Sequence, residues 1–567
     1  MRVLIAPAGS HGDILPFIAV GREFQRRGHE VRFFTNEIFA ATVEGAGLPF
    51  RPIGTAEEYL GLLKKPGLNH PLRSLKIIAE AMDEADPAVV DAFVAEIVPG
   101  ESIIVNSALA FGARAVAEIY GIPCASIHLQ PAVLRGGSEL THADGLTAAL
   151  RAVQRLFRRV VWYLADRLLL GPSIERVVNR RRVARALPPV DRPFHRWIHE
   201  TDALVGLFPP WFAMREHDWP ANLALTGFPL YDGDADELPA ALEAFLECGE
   251  PPIAFTAGTA TAASHAFFVE SVEACRRSGR RGILLTHVAE QIPQNLPADV
   301  VHVPYVPFSA LLPRVAAFVH HGGIGTLSQA LRAGVPQLIR PMAHDQFDNA
   351  ARAVSLGVAI KIPARKYRAE RVVKALDRLM SDVPMRKRCA QVAAKVTGDG
   401  ISAACTHILA TLAPMHLHLI TEDDWERWRD LRLAALRDSP EAFCASLRDW
   451  EDADEARWRR RLREVPFNTI LELEGAPAGM VSAEPIDGDG VELLSLWVAP
   501  QARGRGAGDA LVRAVIDWAA AREASHVELE AIVGNDPARE FYRRSGFVAV
   551  GEVLQEPPPR QRYRRLL

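Results

Sequence analysis

The chain has 567 residues, 49% of them hydrophobic and 24% charged, with a formal net charge of -4. That length exceeds what one hydrophobic core serves, so several domains are expected, and neither a basic field suited to nucleic acid nor the polarity of a disordered chain is present. The opening MRVLIAP is too short for a signal-peptide core, and no apolar run approaches the ~20 residues that cross a bilayer, so a cytoplasmic protein without a transmembrane segment is expected.

The first 130 residues alternate strand and helix patterns. Residues 2–6 read as a strand, 15–27 as a helix stopped by Gly28, and 30–35 as a second strand, which is a βαβ start. Residues 102–106, a helix stopped by Gly121, and 122–129 repeat it. Residues 146–185 are helical and rich in arginine (Arg151, Arg155, Arg158, Arg159, Arg167, Arg176). A solvated helix face is the favoured reading there, with peripheral membrane contact or one wall of an acceptor cleft as alternatives. A second series follows Pro252: apolar strands at 253–256, 282–286, 316–319, 337–340 and 358–362, with helices closing on Gly334 and Gly357. The fold class is therefore α/β, with two Rossmann-like doubly wound domains in tandem. A helix over 401–412 ends at Ala413-Pro414, where the main boundary is placed. Beyond it a fresh strand at 415–420, helices carrying Trp425, Trp428, Trp450 and Trp458, and strands at 469–473, 479–484 and 492–499 form a further domain. Cys124, Cys248, Cys275, Cys389, Cys405 and Cys444 are scattered without metal or redox spacing and read as reduced thiols.

The most informative turn is His320-His321-Gly322-Gly323-Ile324-Gly325-Thr326. An apolar strand enters a glycine corner and leaves as a helix, so several backbone N–H groups converge beside two histidines, as an anion site requires. The alternative is a tight turn with two core histidines. Its neighbours decide between them: RAGVP (332–336) and then Asp345-Gln346, after the next strand, lie at the edge of the sheet where such folds bind ligands. Together these motifs resemble the donor-binding signature of GT-B glycosyltransferases, the family of macrolide, sterol, glycopeptide and plant natural-product glycosyltransferases, over residues 1–410. The resemblance implies an acceptor-binding domain (1–200) and a nucleotide-sugar domain (201–412). It implies that His321 and Thr326, with N–H groups of Gly322, Gly323 and Gly325, hold the diphosphate, and that Asp345 and Gln346 bind sugar hydroxyls. Gly258 and Thr259 match a second phosphate-side loop, and Val306 the segment that stacks on the base. Gln329 stands where a ribose-binding glutamate is usual, which leaves UDP- and dTDP-sugars both admissible. No metal is implied, and the apolar content of 55–95 and 130–200 suits a hydrophobic small-molecule or lipid acceptor.

Inverting transfer needs a base near the acceptor hydroxyl. In Gly9-Ser10-His11-Gly12-Asp13-Ile14-Leu15-Pro16, Asp13 falls where the family carries its catalytic histidine or aspartate, and His11 is the runner-up or orienting partner. The competing role for Asp13 is N-cap of the helix from residue 15.

Residues 501–508, Gln501-Ala502-Arg503-Gly504-Arg505-Gly506-Ala507-Gly508, follow a strand and open a helix over 509–522, a second pyrophosphate cradle. With Asn535 to Tyr542 and Ser545-Gly546-Phe547 they resemble the GCN5-related N-acetyltransferases (GNATs), α/β domains with a mixed sheet, over 415–555 within a domain of 415–567. The resemblance implies that the 501–508 loop grips CoA diphosphate, Val498 offers backbone to pantetheine, Asn535 contacts CoA, and Tyr542 protonates the leaving thiolate. Packing beside Phe541 and Phe547 is the alternative for Tyr542. Glu492, Glu528 and Glu530 lie on strands, and no base is assigned among them. A fused hexosyltransferase and N-acetyltransferase follows, with UDP- or dTDP-sugar and acetyl-CoA as co-substrates, no tightly bound cofactor and no metal. The alternatives are a CoA-binding sensor or docking domain behind an active glycosyltransferase, and an acetyltransferase behind a nucleotide-sugar module that transfers nothing.

Overall fold

The computed structural model describes the chain except residues 66, 68–72, 135–170, 232, 234–236, 259–263, 413, 414, 474, 504, 505, 556 and 557, and the side chains of 73–75, 86 and 171–173. It divides into two compact units, Met1–Leu412 and Ala413–Leu567. The expected arginine-rich helix is described only as Gly171–Ala184; the remainder, with Arg151, Arg155, Arg158, Arg159 and Arg167, lies outside the described residues. No helix among the described residues is long and apolar enough to cross a membrane.

The first unit contains two parallel sheets. In the first, β1 (Arg2–Ala6), β2 (Glu30–Thr35), β3 (Phe50–Pro52), β4 (Ser102–Ser107), β5 (Cys124–His128), β6 (Ala203–Gly206) and β7 (Leu223–Leu225) run in the order β3-β2-β1-β4-β5-β6-β7. β4 and β5 are buried along their whole length, as strands covered on both faces must be. The expected boundary at residue 200 needs correction: β6 pairs with β5 and β7 with β6, so the first sheet continues to Leu225. The short apolar run Ala203–Gly206 satisfies its backbone between β5 and β7.

The second sheet comprises β8 (Ile253–Thr256), β9 (Gly282–Leu285), β10 (Val300–Val303), β11 (Ala317–His320), β12 (Gln337–Ile339) and β13 (Ala359–Lys361), in the order β10-β9-β8-β11-β12-β13. Both sheets reverse their winding direction beside the first strand, between β1 and β4 and between β8 and β11. The loops after these strands therefore diverge and leave a crevice at the carboxyl edge.

The last helix of this unit, Gly400–Leu412, returns to the first sheet's side. Arg27 donates to Thr406 Oγ1 (2.9 Å) and the Ser402 carbonyl (2.8 Å), and Ala404, Cys405, Ile408 and Leu412 are buried in the core shared with Phe17, Val20 and Phe24. Gly400 packs backbone to backbone on Gly227: a Cβ on Gly400 would sit 2.7 Å from the Gly227 carbonyl carbon.

In the second unit, β14 (Met415–Leu419), β15 (Phe467–Leu473), β16 (Ala476–Ile486), β17 (Gly490–Val498), β18 (His526–Ile532), β19 (Val548–Leu554) and β20 (Arg560–Leu566) form one mixed sheet, β14-β15-β16-β17-β18-β20-β19. Its β17–β18 pair is the parallel one, and it is joined only at Gly490–Glu492 against His526–Glu528. Past that point the two strands part. The helix Ala507–Ala520 packs on one sheet face, with Val491, Leu493, Val527 and Leu529. The helices Trp425–Asp438 and Glu455–Glu464 pack on the other, against Ile470, Met480 and Trp497.

Candidate active sites

The glycine turn after β11 is built around its two histidines. His320 is fully buried; its Nδ1 accepts from the Gly322 N–H (3.1 Å), so its Nε2 donates to Gln337 Oε1 (3.0 Å). Burial and the adjacent His321 push its pKa down to about 3, which keeps it a neutral brace. The N–H of Gly322, expected to bind diphosphate, is thus already spent on His320. The N–H groups of Ile324, Gly325 and Thr326 precede the first full helical bond, Leu327 N–H to the Gly323 carbonyl (2.9 Å), and no side chain caps them.

His321 is pinned between glycines. β8 and β11 are paired through Thr256 and His320, which brings the loop after β8 against the turn. A Cβ on Gly258, at φ +83°, would lie 2.6 Å from the His321 ring, and one on Gly323 would lie 2.5 Å from Nε2. Its Nδ1 is buried without a protein partner, and desolvation lowers its pKa to about 4. A neutral imidazole has one N–H donor and one bare nitrogen acceptor, and no protein group takes up whichever of these Nδ1 is. Thr259, the other expected member of this loop, lies outside the described residues. Gln329 is buried on the following helix with Oε1 unpartnered. Val306 departs from expectation: its side chain is buried with Leu311, Leu312 and Phe318, so it presents no face to a base. The exposed aromatic is its neighbour Tyr305 (48% exposed), stacked on His287 at 5.7 Å between ring centroids.

Asp345 and Gln346 begin the helix after β12. Gln346 Oε1 accepts from the N–H groups of Met342 (2.8 Å) and Ala343 (3.2 Å), leaving its amide NH2 as the group not committed to the loop. Asn349 Nδ2 donates to Asp345 Oδ2 (2.6 Å) and to the Gly322 carbonyl (3.0 Å), tying the carboxylate to the glycine turn. Desolvation, then the charge of Asp13, pushes Asp345 up to about 7.

Asp13 is therefore near enough to Asp345 for the two charges to interact. The first helix begins at His11, not at residue 15, so Asp13 is in its first turn. Ser10 is the N-cap, and Asp13 Oδ2 accepts from the Ser10 N–H (2.8 Å) and Oγ (3.0 Å). Asp13 is thus the reciprocal carboxylate of a capping box rather than the cap itself. Desolvation raises its pKa, while Ser10 and then His344 oppose the rise. A Cβ on Gly9, at φ +142°, would lie 2.3 Å from Asp13 Oδ2. His11 sits edge-on to Phe39 at 4.8 Å, and its pKa is lowered by desolvation and by His287. Two residues at the site were not singled out from sequence. Tyr59 donates to the Gly9 carbonyl (3.3 Å) and is pushed up to about 12 by burial and by Asp13. His344 holds a left-handed φ of +55° beside Asp13; its adjacency to Asp345-Gln346 was the available signal.

In the second unit, Gly506 (φ +78°) caps the helix Ala507–Ala520, and Gly504 and Arg505 lie outside the described residues. Gln501 is exposed in the short turn Pro500–Ala502. Arg503 is already engaged: it pairs with Asp438, and its Nε donates to the Val498 carbonyl (3.0 Å), which takes up one of that oxygen's two lone pairs. A Cβ on Gly508 would lie 3.1 Å from the Phe541 ring; this glycine allows helix packing. Asn535 Oδ1 caps the helix Asp536–Arg544 through the Ala538 N–H (3.2 Å), leaving its amide NH2 outside the cap. Tyr542 packs among Phe541, Phe547 and Tyr563, and desolvation pushes its hydroxyl up to about 12. Glu528 is held by Arg564 and Glu530 by Arg560 and Arg562.

Family models agree with this division. Residues 3–134 match the glycosyltransferase family 28 N-terminal domain, 282–412 the erythromycin biosynthesis protein CIII-like C-terminal domain, and 425–547 the acetyltransferase (GNAT) family. O-mycaminosyltylonolide 6-deoxyallosyltransferase of Streptomyces fradiae is 31% identical over 425 residues, spanning 72% of this chain and 97% of that one. The chain belongs to this GT-B glycosyltransferase family and carries a C-terminal GNAT domain. Vancomycin aglycone glucosyltransferase of Amycolatopsis orientalis is 30% identical over 378 residues, covering 64% of this chain and 85% of its own. Among solved structures, the glycosyltransferase of kitacinnamycin superposes with a TM-score of 0.55 at 22% identity, covering 71% of this chain and 97% of that one, a likeness of fold. The GT-B relatives account for the two parallel sheets, and the GNAT match for the mixed one.

Proposed function

We propose that the first unit is an inverting, metal-independent hexosyltransferase using a UDP- or dTDP-sugar, and that the second transfers acetyl from acetyl-CoA to an amine. The observation that carries the first reading is that Asp13, in the helix after β1, interacts with His344 and Asp345, after β12, while His321 is pinned in the turn after β11, all at the carboxyl ends of the two parallel sheets. The relatives named above are by name glycosyltransferases of O-mycaminosyltylonolide and of vancomycin aglycone, which favours a small-molecule acceptor. Asp13 takes the acceptor hydroxyl's proton as that oxygen bonds to the anomeric carbon. The bond to the diphosphate breaks on the opposite face, and the leaving oxygen keeps the electron pair. His321, the Thr326 hydroxyl and the N–H groups of Ile324 to Thr326 receive that charge without a metal ion. Asp345 and the Gln346 amide hold sugar hydroxyls. A desolvated Asp13 is a better base than an exposed carboxylate, because its proton affinity moves towards the working pH.

In the second unit the diverging β17 and β18 leave room for a thioester arm between them. Glu492 lies just where they part, and its carboxyl is raised by burial and by Glu530 and Glu484. It takes a proton from the amine, whose nitrogen bonds to the thioester carbonyl carbon. The carbon–sulfur bond breaks, and Tyr542 protonates the departing thiolate. Asp13→Asn tests the first reading: sugar transfer should vanish while UDP or dTDP still raises the melting temperature, and retained turnover would overturn it. Labelled acetyl appearing on an amine tests the second; CoA-dependent stabilisation with no transfer to any amine would reduce the domain to a CoA binder.

A further inference from the structure

The sheet face of the second unit beneath Trp425–Asp438 and Glu455–Glu464 carries an unusual balance of charge. Val481 and Ala483, Val491 and Leu493, and Val527 and Leu529 point to the Ala507–Ala520 side, so by alternation Glu484, Glu492, Glu528 and Glu530 point to the other. Glu484 is directly opposite Glu492, and Glu492 opposite Glu528, in the strand register. Arginines from β20 neutralise Glu528 and Glu530. Among the described residues, no arginine or lysine bridges Glu484 or Glu492.

Above them lie two arginines with the opposite deficit. Arg432 on the first helix and Arg461 on the second each have an Nη1 atom shut off from solvent with no hydrogen-bond partner, and no described carboxylate bridges either. The Nε1 of Trp458, 1% exposed and one turn before Arg461, is unpartnered as well. Arg432 lies over the Phe443 ring at 4.4 Å. The two guanidinium groups repel each other: burial and then Arg461 push Arg432 down to about 10. Arg461 is close enough to Glu484 to feel its charge, and Arg560 closes the far side by reaching from Glu530 (2.8 Å) to Cys444 Sγ (3.8 Å). Two desolvated cations that repel one another are costly unless something anionic joins them. A pair of guanidinium forks matches a carboxylate in shape as well as charge.

We infer that the acetyl acceptor of the second unit is a small amino carboxylate, whose carboxylate is held by Arg432 and Arg461 with the Trp458 N–H, and whose amine is turned to Glu484 and Glu492 at the parting of β17 and β18. This rests on reading that unit as an N-acetyltransferase. The two unpaired cations and two unpaired anions on one sheet face then match the two ends of a single zwitterion.

The test uses the full chain with CoA or acetyl-CoA and a panel of glycine, β-alanine, 4-aminobutyrate and L-α-amino acids, each against its carboxamide. Calorimetric binding in the presence of CoA and acetyl transfer from acetyl-CoA are both read. At least one acid should bind and be acetylated about 100-fold better than its amide, since the amide leaves a desolvated guanidinium unmatched. In Arg432→Met and Arg461→Met that preference should collapse towards unity with the KM for acetyl-CoA unchanged. Neither variant should lower the melting temperature of the second unit, because each removes an uncompensated charge. Amides that serve as well as acids, or no acid that binds at all, would overturn the inference. Arginine-dependent binding of acids without any acetyl transfer would instead uphold the site and overturn the acetyltransferase reading.

Discussion

Replacing Gly9 with alanine probes how Asp13 is held. The backbone there has φ +142°, and a Cβ would stand 2.3 Å from Asp13 Oδ2 and 2.5 Å from Cγ. A tolerable contact is longer by about 1 Å, so the carboxyl must leave the Ser10 N–H and hydroxyl. Loss of the capping interaction costs about 1 kcal/mol, and a non-glycine residue in a sparsely populated conformation costs a further ~1–3 kcal/mol. A base displaced by ~1 Å costs on the order of 100-fold in rate. Gly12→Ala is the matched control: its nearest neighbour is Ser10 Oγ at 3.8 Å, its φ is not positive, and within the first turn alanine gains about 0.5–1 kcal/mol. Thermal unfolding and steady-state sugar transfer on the two variants give the result. Gly9→Ala with wild-type turnover, or a Gly12→Ala loss equal to it, would show that the capping-box geometry does not position the base.

Gly323→Ala places a Cβ 2.5 Å from His321 Nε2 and should displace the imidazole, weakening nucleoside diphosphate binding by roughly tenfold or more on calorimetry. Unchanged affinity would remove His321 from the diphosphate site. Asp345, at about 7 against its ordinary 3.8, binds an extra proton in the folded state between those values. Its ionisation therefore lowers stability as pH rises through that window, by at most ~1.4 kcal/mol per pH unit, and adds nothing further above it. Asp345→Asn should be most stabilising, relative to wild type, at neutral pH and least near pH 4; a difference independent of pH would refute the assignment. Gly508→Ala puts a Cβ 3.1 Å from Phe541, where crowding of ~1–3 kcal/mol outweighs helix propensity. It should lower the unfolding temperature of the second unit alone, and a rise would show that Phe541 gives way freely.

Periodicity and glycine punctuation were enough to read the doubly wound sheets, because strands such as β4 and β5 are buried on both faces and carry continuous apolar runs. Capping was harder. The helix at residue 11 begins with His11-Gly12-Asp13, whose helical character comes from the reciprocal Ser10–Asp13 bonds rather than from an apolar stripe. β6 and β7 are short, and β6 gains its inner partner from β5, some eighty residues earlier, which no local pattern records. At the site, the glycine turn and Asp345-Gln346 are legible as motifs, but how donors are shared out is not. That His320 consumes the Gly322 N–H, or that Val306 turns inward while Tyr305 stays out, follows from tertiary packing. The unmatched Arg432 and Arg461 look like ordinary surface arginines in sequence; only their burial distinguishes them.

The helix Gly400–Leu412 supplies Ala404, Cys405, Ile408 and Leu412 to the core around the first helix, although it is encoded after the whole second sheet. During synthesis the half built on the first sheet thus emerges first but lacks part of its interior until residue 412 has left the ribosome, so that half does not mature as an early, independent folding unit. The same holds for recombination: an exchange of the halves built on the second sheet between relatives must leave 400–412 with the N-terminal parent, or the first helix loses its lining and Arg27 its partners.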